Sequence, residues 1–168
     1  GYIVILYNST MLEKLKLPAP QTLDDLLKPE YKGLIVYNSP VTSGTGLSVL
    51  TWILTEKGEI GGFDYLIKLK TNIAPVGYPS GFSSLVTALK TGRAAITISF
   101  TSHGVDPTTP HMKINGTTGF VYREGMAAVK GAKNADAAKK FIEFMTSKEG
   151  QDLVDPYNYM YPVRNDAG

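Results

Sequence analysis

The sequence contains no cysteine, which excludes disulfide bonds, thiol catalysis, iron–sulfur clusters and zinc sites built on cysteine. No apolar run approaches the ~20 residues that a membrane-spanning helix needs. No charge dominates either, because 17 Lys and Arg residues stand against 15 Asp and Glu residues and leave a net charge of +2. That balance, without a cluster of basic residues, gives no reason to expect a nucleic-acid partner.

What is present is an ordinary globular composition over 168 residues, of which 43% are hydrophobic and 19% are charged. This length suits one domain or one lobe of a larger protein. The sequence starts at Gly1 and moves at once into an apolar segment, with neither an initial methionine nor a signal-peptide pattern. We therefore expect a mature product or a piece of a longer chain, organised as a single α/β lobe over residues 1–168.

Short apolar runs alternate with segments of helical spacing along the chain. The runs predict strands over residues 2–7, 34–37, 94–99, 119–122 and 126–129, with a short extended piece at 73–76. The helical spacing is clearest over residues 137–145. We expect the stretch that contains Pro107, Pro110 and Gly116, and the tail at 156–162, to be irregular. The alternation predicts an α/β fold in which helices flank a mixed, at least partly parallel sheet.

Three small polar loops follow predicted strands or extended pieces, at residues 39–46, 78–84 and 99–104. In open α/β sheets, ligands bind beyond the carboxyl ends of the strands. The first two loops lead directly into predicted helices, whose first turns offer free backbone N–H groups and a partial positive charge. Such loops would form a cradle for an anionic or polyhydroxylated small molecule. The candidate binding residues are Ser43, Gly44, Thr45, Tyr78, Ser80, Gly81, Ser83, Phe100, Thr101, Ser102 and His103.

The same hydroxyl residues also suit plain helix capping, because Ser and Thr are preferred at helix starts. This alternative interpretation applies most directly to Ser43 or Thr45 in the first loop and to Ser80, Ser83 and Ser84 in the second.

Catalytic motifs are incomplete in this sequence. Residues 44–46 lack the following lysine of a phosphate-binding NTPase loop and the full dinucleotide fingerprint. Residues 81–85 miss a nucleophile elbow, because Leu85 stands where the second glycine belongs. The two histidines, His103 and His111, have no carboxylate pair nearby that would complete a metal site. We therefore expect no catalytic residue, no metal and no cofactor.

Two other classes of function stay open. A serine hydrolase would use Ser83 or Ser84 with His103, although no third orienting residue supports it. A ligand-sensing regulatory domain of similar fold is the other, and a DNA-binding segment elsewhere in the gene would favour it.

Several segments resemble, in order along the chain, the ABC-transporter solute-binding proteins of the branch that binds iron, thiamine and sugar phosphates. Residues 20–33 (PQTLDDLLKPEYKG) are similar to that family's P-x-[TS]-W-x-D-L-x-x-P-x-[YW]-K-G stretch, and residues 40–46 resemble the loop that follows it. Residues 131–151 resemble its KGAKN…AAKKFIDFLLSKEGQ helix, and residues 161–164 its closing YPVR segment.

The resemblance implies a type II periplasmic-binding-protein-like lobe. In this family two α/β lobes, joined by a hinge, close on a solute that a membrane permease then receives. It implies that residues 1–168 are the second lobe with the terminal helices, and that the first lobe lies outside this sequence. It further implies a periplasmic or extracellular location, with a membrane anchor in some full-length forms. The surfaces that would meet the first lobe are then open to self-association or domain swapping.

The resemblance also bears on the ligand. The family's iron binders place two adjacent tyrosines just after the strand that corresponds to residues 94–99. Phe100 and Thr101 stand there in this sequence and lack the phenolate oxygens that hold ferric iron. A phosphate ester, phosphonate or carboxylate fits the hydroxyl-rich loops better. Thiamine-binding or iron-binding members of the family stay alternatives, and Tyr78, Phe100 and Tyr122 are the candidates for an aromatic cage around thiamine.

Overall fold

The computed structural model describes residues 1–105 and 111–167, and for residues 116–118 it describes the backbone alone. The chain divides into two compact units, one made of Tyr2–Tyr122 and the other of Gly1 with Arg123–Gly168. The assignment of residues 1–168 to a single lobe stays a prediction.

The Tyr2–Tyr122 unit is built on a four-stranded mixed sheet. The strands are β1 (Tyr2–Asn8), β2 (Ile35–Val36), β3 (Ile96–Phe100) and β4 (Met112–Val121). Their order in the sheet is β2-β3-β1-β4. β2 runs parallel to β3, whereas β1 runs antiparallel to both β3 and β4. The sheet confirms the predicted α/β class and the partly parallel pairing.

Helices cover both faces of this sheet. Because successive residues of a strand point to opposite faces, Ile3 and Ile5 of β1 join one apolar cluster, whereas Val4 and Leu6 join another. The α-helices described in this unit are α1 (Ser9–Leu15), α2 (Gly44–Lys57), α3 (Glu59–Leu69), α4 (Phe82–Lys90) and α5 (Ser102–Val105). The first cluster includes Trp52 and other side chains of α1, α2 and α3, and the second includes side chains of α4.

The second unit carries three helices, α6 (Ala135–Thr146), α7 (Lys148–Asp152) and α8 (Val154–Asn158). Gln151 ties its tail to α6, because its Nε2 donates to the Met145 backbone oxygen and its Oε1 accepts from the Val163 backbone N–H, both at 2.6 Å. The described residues of α6 include none that is buried, and its apolar side chains Phe141 and Phe144 are exposed. Among the described residues, no helix has the length and hydrophobicity to cross a membrane.

The structure corrects the sequence expectations in three places. Residues 126–129 form no strand, and the strand predicted at 119–122 is the end of the longer β4. β4 therefore also replaces most of the expected irregular stretch after Met112, where the pairing with β1 outweighs a polar, glycine-containing sequence. α8 lies partly within the tail expected to be irregular. The expectations for Pro107 and Pro110 lie outside the described residues.

Candidate functional site

The topology brings the three polar loops to one edge of the sheet. β2 and β3 are parallel, so their carboxyl ends lie at the same edge. A parallel bridge between Ile35 and Ile73 brings the segment before the second loop to that edge as well. β1 runs in the opposite direction, so Tyr2 at its start pairs with Val121 at the end of β4 beside the third loop.

A buried asparagine joins the first loop to the second. Asn38 is 1% exposed, and its Nδ2 donates to the backbone oxygens of Pro79 at 3.1 Å and Gly81 at 3.0 Å. The backbone N–H of Ser39 also donates to the Pro79 oxygen, at 3.0 Å. Sequence reasoning missed Asn38 as a site residue. The signal available was an amide side chain placed directly after a buried strand.

The first loop ends in a capped helix. Ser43 precedes α2, and its Oγ accepts a hydrogen bond from the Gly46 backbone N–H at 3.4 Å, which confirms the capping interpretation of this residue. A Cβ at Gly46 would collide with the backbone of Asn38 and Ser39, so the first turn of α2 lies directly against its own loop. Gly44 is exposed and Thr45 partly exposed at this helix start.

The second loop leads into a helix that starts without a cap. Gly81 precedes α4 in extended backbone conformation, with φ −152° and ψ 172°, and no side chain in the described part of the chain caps the helix. The Ser84 hydroxyl donates to the Gly81 backbone oxygen at 3.3 Å. Ser80 and Ser83 are exposed. A helix start carries a partial positive charge, which suits an anion.

Aromatic rings connect the second loop to the third. The His103 ring in α5 stacks on Phe82, the first residue of α4, with the ring centroids 4.1 Å apart. Its Nδ1 lies 2.6 Å from Oγ of Ser99, a fully buried residue of β3. Phe100 meets the His103 ring edge-on at 5.7 Å and the Tyr122 ring at 5.0 Å. His103 thus joins the end of β3 to the start of α4.

A second aromatic contact links the first two loops, where the Tyr37 and Tyr78 rings meet edge to face at 5.1 Å. Burial raises the pKa of the Tyr37 phenol, and the neighbouring Tyr78 raises that pKa further. Tyr37 is therefore neutral at neutral pH and supplies no phenolate. Tyr78 is 41% exposed and presents part of its ring to solvent.

The structure thus brings together members of all three predicted loops. Asn38 joins the first to the second, and the Phe82–His103 stack joins the second to the third. Thr101 and Ser102 are partly exposed beside that stack. Of the predicted aromatic cage, Phe100 and Tyr122 are in contact, and Tyr78 packs on Tyr37. The ligand-binding role of all these residues stays a prediction.

The geometry gives little support to two alternatives, a serine hydrolase and an iron-binding protein. A hydrolase would need a serine hydroxyl delivered to His103, but the Ser84 hydroxyl donates to a backbone oxygen and the imidazole Nδ1 contacts Ser99. For ferric iron, no group of three or more His, Asp or Glu side chains gathers within residues 1–105 and 111–167.

Solved periplasmic binding proteins share this mixed α/β fold. AfuA from Actinobacillus pleuropneumoniae, with exogenous fructose-6-phosphate bound, superposes with a TM-score of 0.74 and 27% identity over 92% of this chain and 49% of its own. A ferric binding protein from Campylobacter jejuni gives a TM-score of 0.79 and 26% identity over 99% and 56% of the two chains.

Sequence comparison agrees with the fold. The thiamine-binding periplasmic protein of Brucella abortus biovar 1 (strain 9-941) is 33% identical over 176 residues, which cover 97% of this chain and 48% of that protein. The profile of the family described as bacterial extracellular solute-binding protein matches residues 1–168. The chain belongs to this family, and its resemblance to the iron, thiamine and sugar-phosphate branch is confirmed. The chain spans about half the length of the curated relatives it matches.

Proposed function

We propose that this chain is the ligand-binding lobe of an ABC-importer solute-binding protein, and that it captures a small anionic solute. The solute class is a phosphate ester, a phosphonate or a carboxylate. The observation that carries the proposal is the gathering of three hydroxyl-rich loops at one sheet edge, joined by the Asn38 amide and by the Phe82–His103 stack. In open α/β sheets that edge is where ligands bind.

The charge of the solute follows from the start of α4. Its first-turn N–H groups have no side-chain cap within the described residues, so they suit the oxygens of an anion. The exposed hydroxyls of Ser80 and Ser83 add donors from the same loop. From the first loop, Ser43, Gly44 and Thr45 complete the polar wall.

The organic part of the solute would rest against the third loop. Phe100 and His103 supply ring surface there, and Thr101 and Ser102 supply hydroxyls. A wall that combines rings with hydroxyls suits an organic phosphate or phosphonate better than inorganic phosphate, because the rings exclude water from the carbon side of the ligand.

The partners of this chain would be the first lobe of the intact protein and a membrane permease. The exposed Phe141 and Phe144 of α6 offer apolar surface for the first lobe of the intact protein. Closure of two lobes on the solute would create the form that a permease recognises, in the periplasm or outside the cell. The relatives are named as binding proteins, which supports a role without catalysis.

Thiamine is the second candidate solute. The exposed ring of Tyr78 and the contact between Phe100 and Tyr122 favour it, since a flat heterocycle stacks on such rings. The Brucella relative is named for thiamine. Thiamine is a cation, however, and the open start of α4 favours the opposite charge. The two candidates are therefore separated by the charge that the site prefers.

A two-dimensional amide NMR titration of the chain tests this proposal, because it detects millimolar binding to half a cleft. The probes are fructose 6-phosphate, 2-aminoethylphosphonate, inorganic phosphate, thiamine and ferric citrate, each added to about 10 mM at matched ionic strength. We expect the phosphate and phosphonate probes to shift residues 43–46, 80–84 and 101–103. Shifts by thiamine alone would replace the anion with the second candidate. No shift by any probe would contradict the proposal.

A further inference from the structure

His103 occupies a junction between the strand layer and the second loop. Its Nδ1 lies 2.6 Å from Ser99 Oγ, a short hydrogen-bond distance. Ser99 is 0% exposed and pairs with Val4 in the middle of the sheet, so the hydroxyl is held by a rigid element. A hydrogen bond to such a fixed group orients the imidazole ring, which presents one face to Phe82.

Contacts from the two neighbouring loops hold the start of α4. Gly81 precedes it, and a Cβ placed on Gly81 would meet nothing within 4 Å. No side chain of the described residues caps the helix. On the side of the first loop, the Asn38 amide holds the Gly81 carbonyl at 3.0 Å. On the side of the third loop, the His103 ring holds Phe82 at 4.1 Å.

We propose that His103 is a positioning residue, which acts through Phe82 to hold the first turn of α4 for its solute. The Ser99 hydroxyl fixes the imidazole, the imidazole fixes the Phe82 ring, and the ring fixes the N–H groups that follow it. The proposal rests on the proposed function, and it assigns His103 a positioning task in addition to the ring surface that it offers the solute. Ser99 belongs to the same device although it is buried and cannot reach a ligand.

The ring signals of histidine test the geometry without any solute. The sequence has 2 histidines, so a ¹H–¹³C aromatic spectrum contains His103 and one internal reference, the exposed His111. A ring stacked on Phe82 experiences its ring current, so we expect the His103 signals to lie upfield of those of His111. Ser99→Ala removes the hydroxyl, and the His103 signals should then move toward the reference. Ser99→Thr, which keeps a hydroxyl, should restore most of the upfield shift.

Solute affinity tests the consequence. With fructose 6-phosphate as the probe, we expect Ser99→Ala and Phe82→Leu each to raise the dissociation constant about tenfold. Both substitutions interrupt the same series of contacts from Ser99 through the His103 ring to Phe82. The double variant should therefore bind about as weakly as either single variant, whereas independent effects would give a loss of about a hundredfold. Thermal melts of all variants check that each one folds.

Each outcome either supports or overturns the positioning role of His103. Upfield His103 signals that collapse in Ser99→Ala, together with a non-additive loss of affinity, support the proposal. Ring signals unchanged by Ser99→Ala, or multiplying losses in the double variant, overturn it. If the parent chain binds no probe, the proposed function fails on its own account. The positioning role is then judged from the amide signals of residues 82–84, which must move in Ser99→Ala and must be rescued by Ser99→Thr.

Discussion

The helices α2 and α4 begin alike in sequence and differently in structure. Both follow a loop rich in glycine and hydroxyl residues at the same sheet edge. Ser43 lies one residue before α2 and caps it with its side chain. Gly81 lies at the same position before α4 and provides no side-chain cap. Loop composition therefore marks where a site can form. The placement of one serine relative to the helix start decides which backbone donors stay free for a ligand.

Disruption of the close packing between α2 and its loop should have the largest effect on stability. Gly46→Ala places a methyl group against the backbone of Asn38 and Ser39, which cannot move aside as a side chain could. We expect a loss of about 3 kcal/mol in the free energy of unfolding, measured by urea denaturation. Gly44→Ala is the matched control, because nothing lies within 4 Å of a Cβ there. A Gly46→Ala loss no greater than that of Gly44→Ala would contradict the packing account.

Removal of the Asn38 amide should have the second largest effect on stability. Asn38→Ala removes the buried amide that donates to the Pro79 and Gly81 backbone oxygens, so we expect a loss of about 2 kcal/mol in the free energy of unfolding. The amide signals of residues 78–82 should shift in the same variant, because the loop is no longer held. Asn134→Ala serves as the control, since Asn134 is exposed and makes no side-chain cap bond at α6. Equal losses in the two variants would refute the role assigned to Asn38.

Removal of the Ser43 cap of α2 should have a moderate effect on stability. Ser43→Ala deprives the first turn of α2 of the hydroxyl that accepts from Gly46, and we expect a loss of about 1 kcal/mol in the free energy of unfolding. Ser83→Ala is the comparison at the other helix, where the exposed hydroxyl is no cap, and it should change stability far less. If Ser83→Ala costs as much as Ser43→Ala, the contrast between the two helix starts is wrong.

Addition of the missing cap should have the smallest effect on stability. Gly81 has extended backbone that any residue can adopt, with open space around its Cβ position. Gly81→Asn should therefore raise the free energy of unfolding by only a few tenths of a kcal/mol, because a glycine cap is nearly as good as an amide one. A clear decrease in the urea midpoint of unfolding of Gly81→Asn would show that α4 starts at another residue.

Local patterns predicted much of this molecule. The apolar runs at 2–7 and 94–99 correspond to β1 and β3, and the edge that gathers the loops follows from the order of strands and helices. Ser43 was identifiable as a cap because capping depends on neighbours within one turn. These features depend on residues close together in the chain.

The features that sequence reasoning missed depend on distant partners. Asn38 bonds to carbonyls 41 and 43 residues away, and its type alone does not indicate them. His103 contacts Ser99, four residues earlier in the chain, but its stacking partner Phe82 lies in another helix. β4 is held by pairing with β1 and carries too few β-branched or aromatic residues at its start to predict a strand there.

One measurement tests the central claim, that the open start of α4 receives an anion. Fructose 6-phosphate is titrated into the parent chain, Gly81→Asn and Gly81→Asp, with binding followed by amide NMR. The two variants add side chains of the same shape and differ in charge, so their comparison isolates the electrostatic contribution. We expect Gly81→Asp to weaken binding at least about tenfold relative to Gly81→Asn. Equal affinities of the two variants would contradict the claim that the solute's negative charge lies at this helix start.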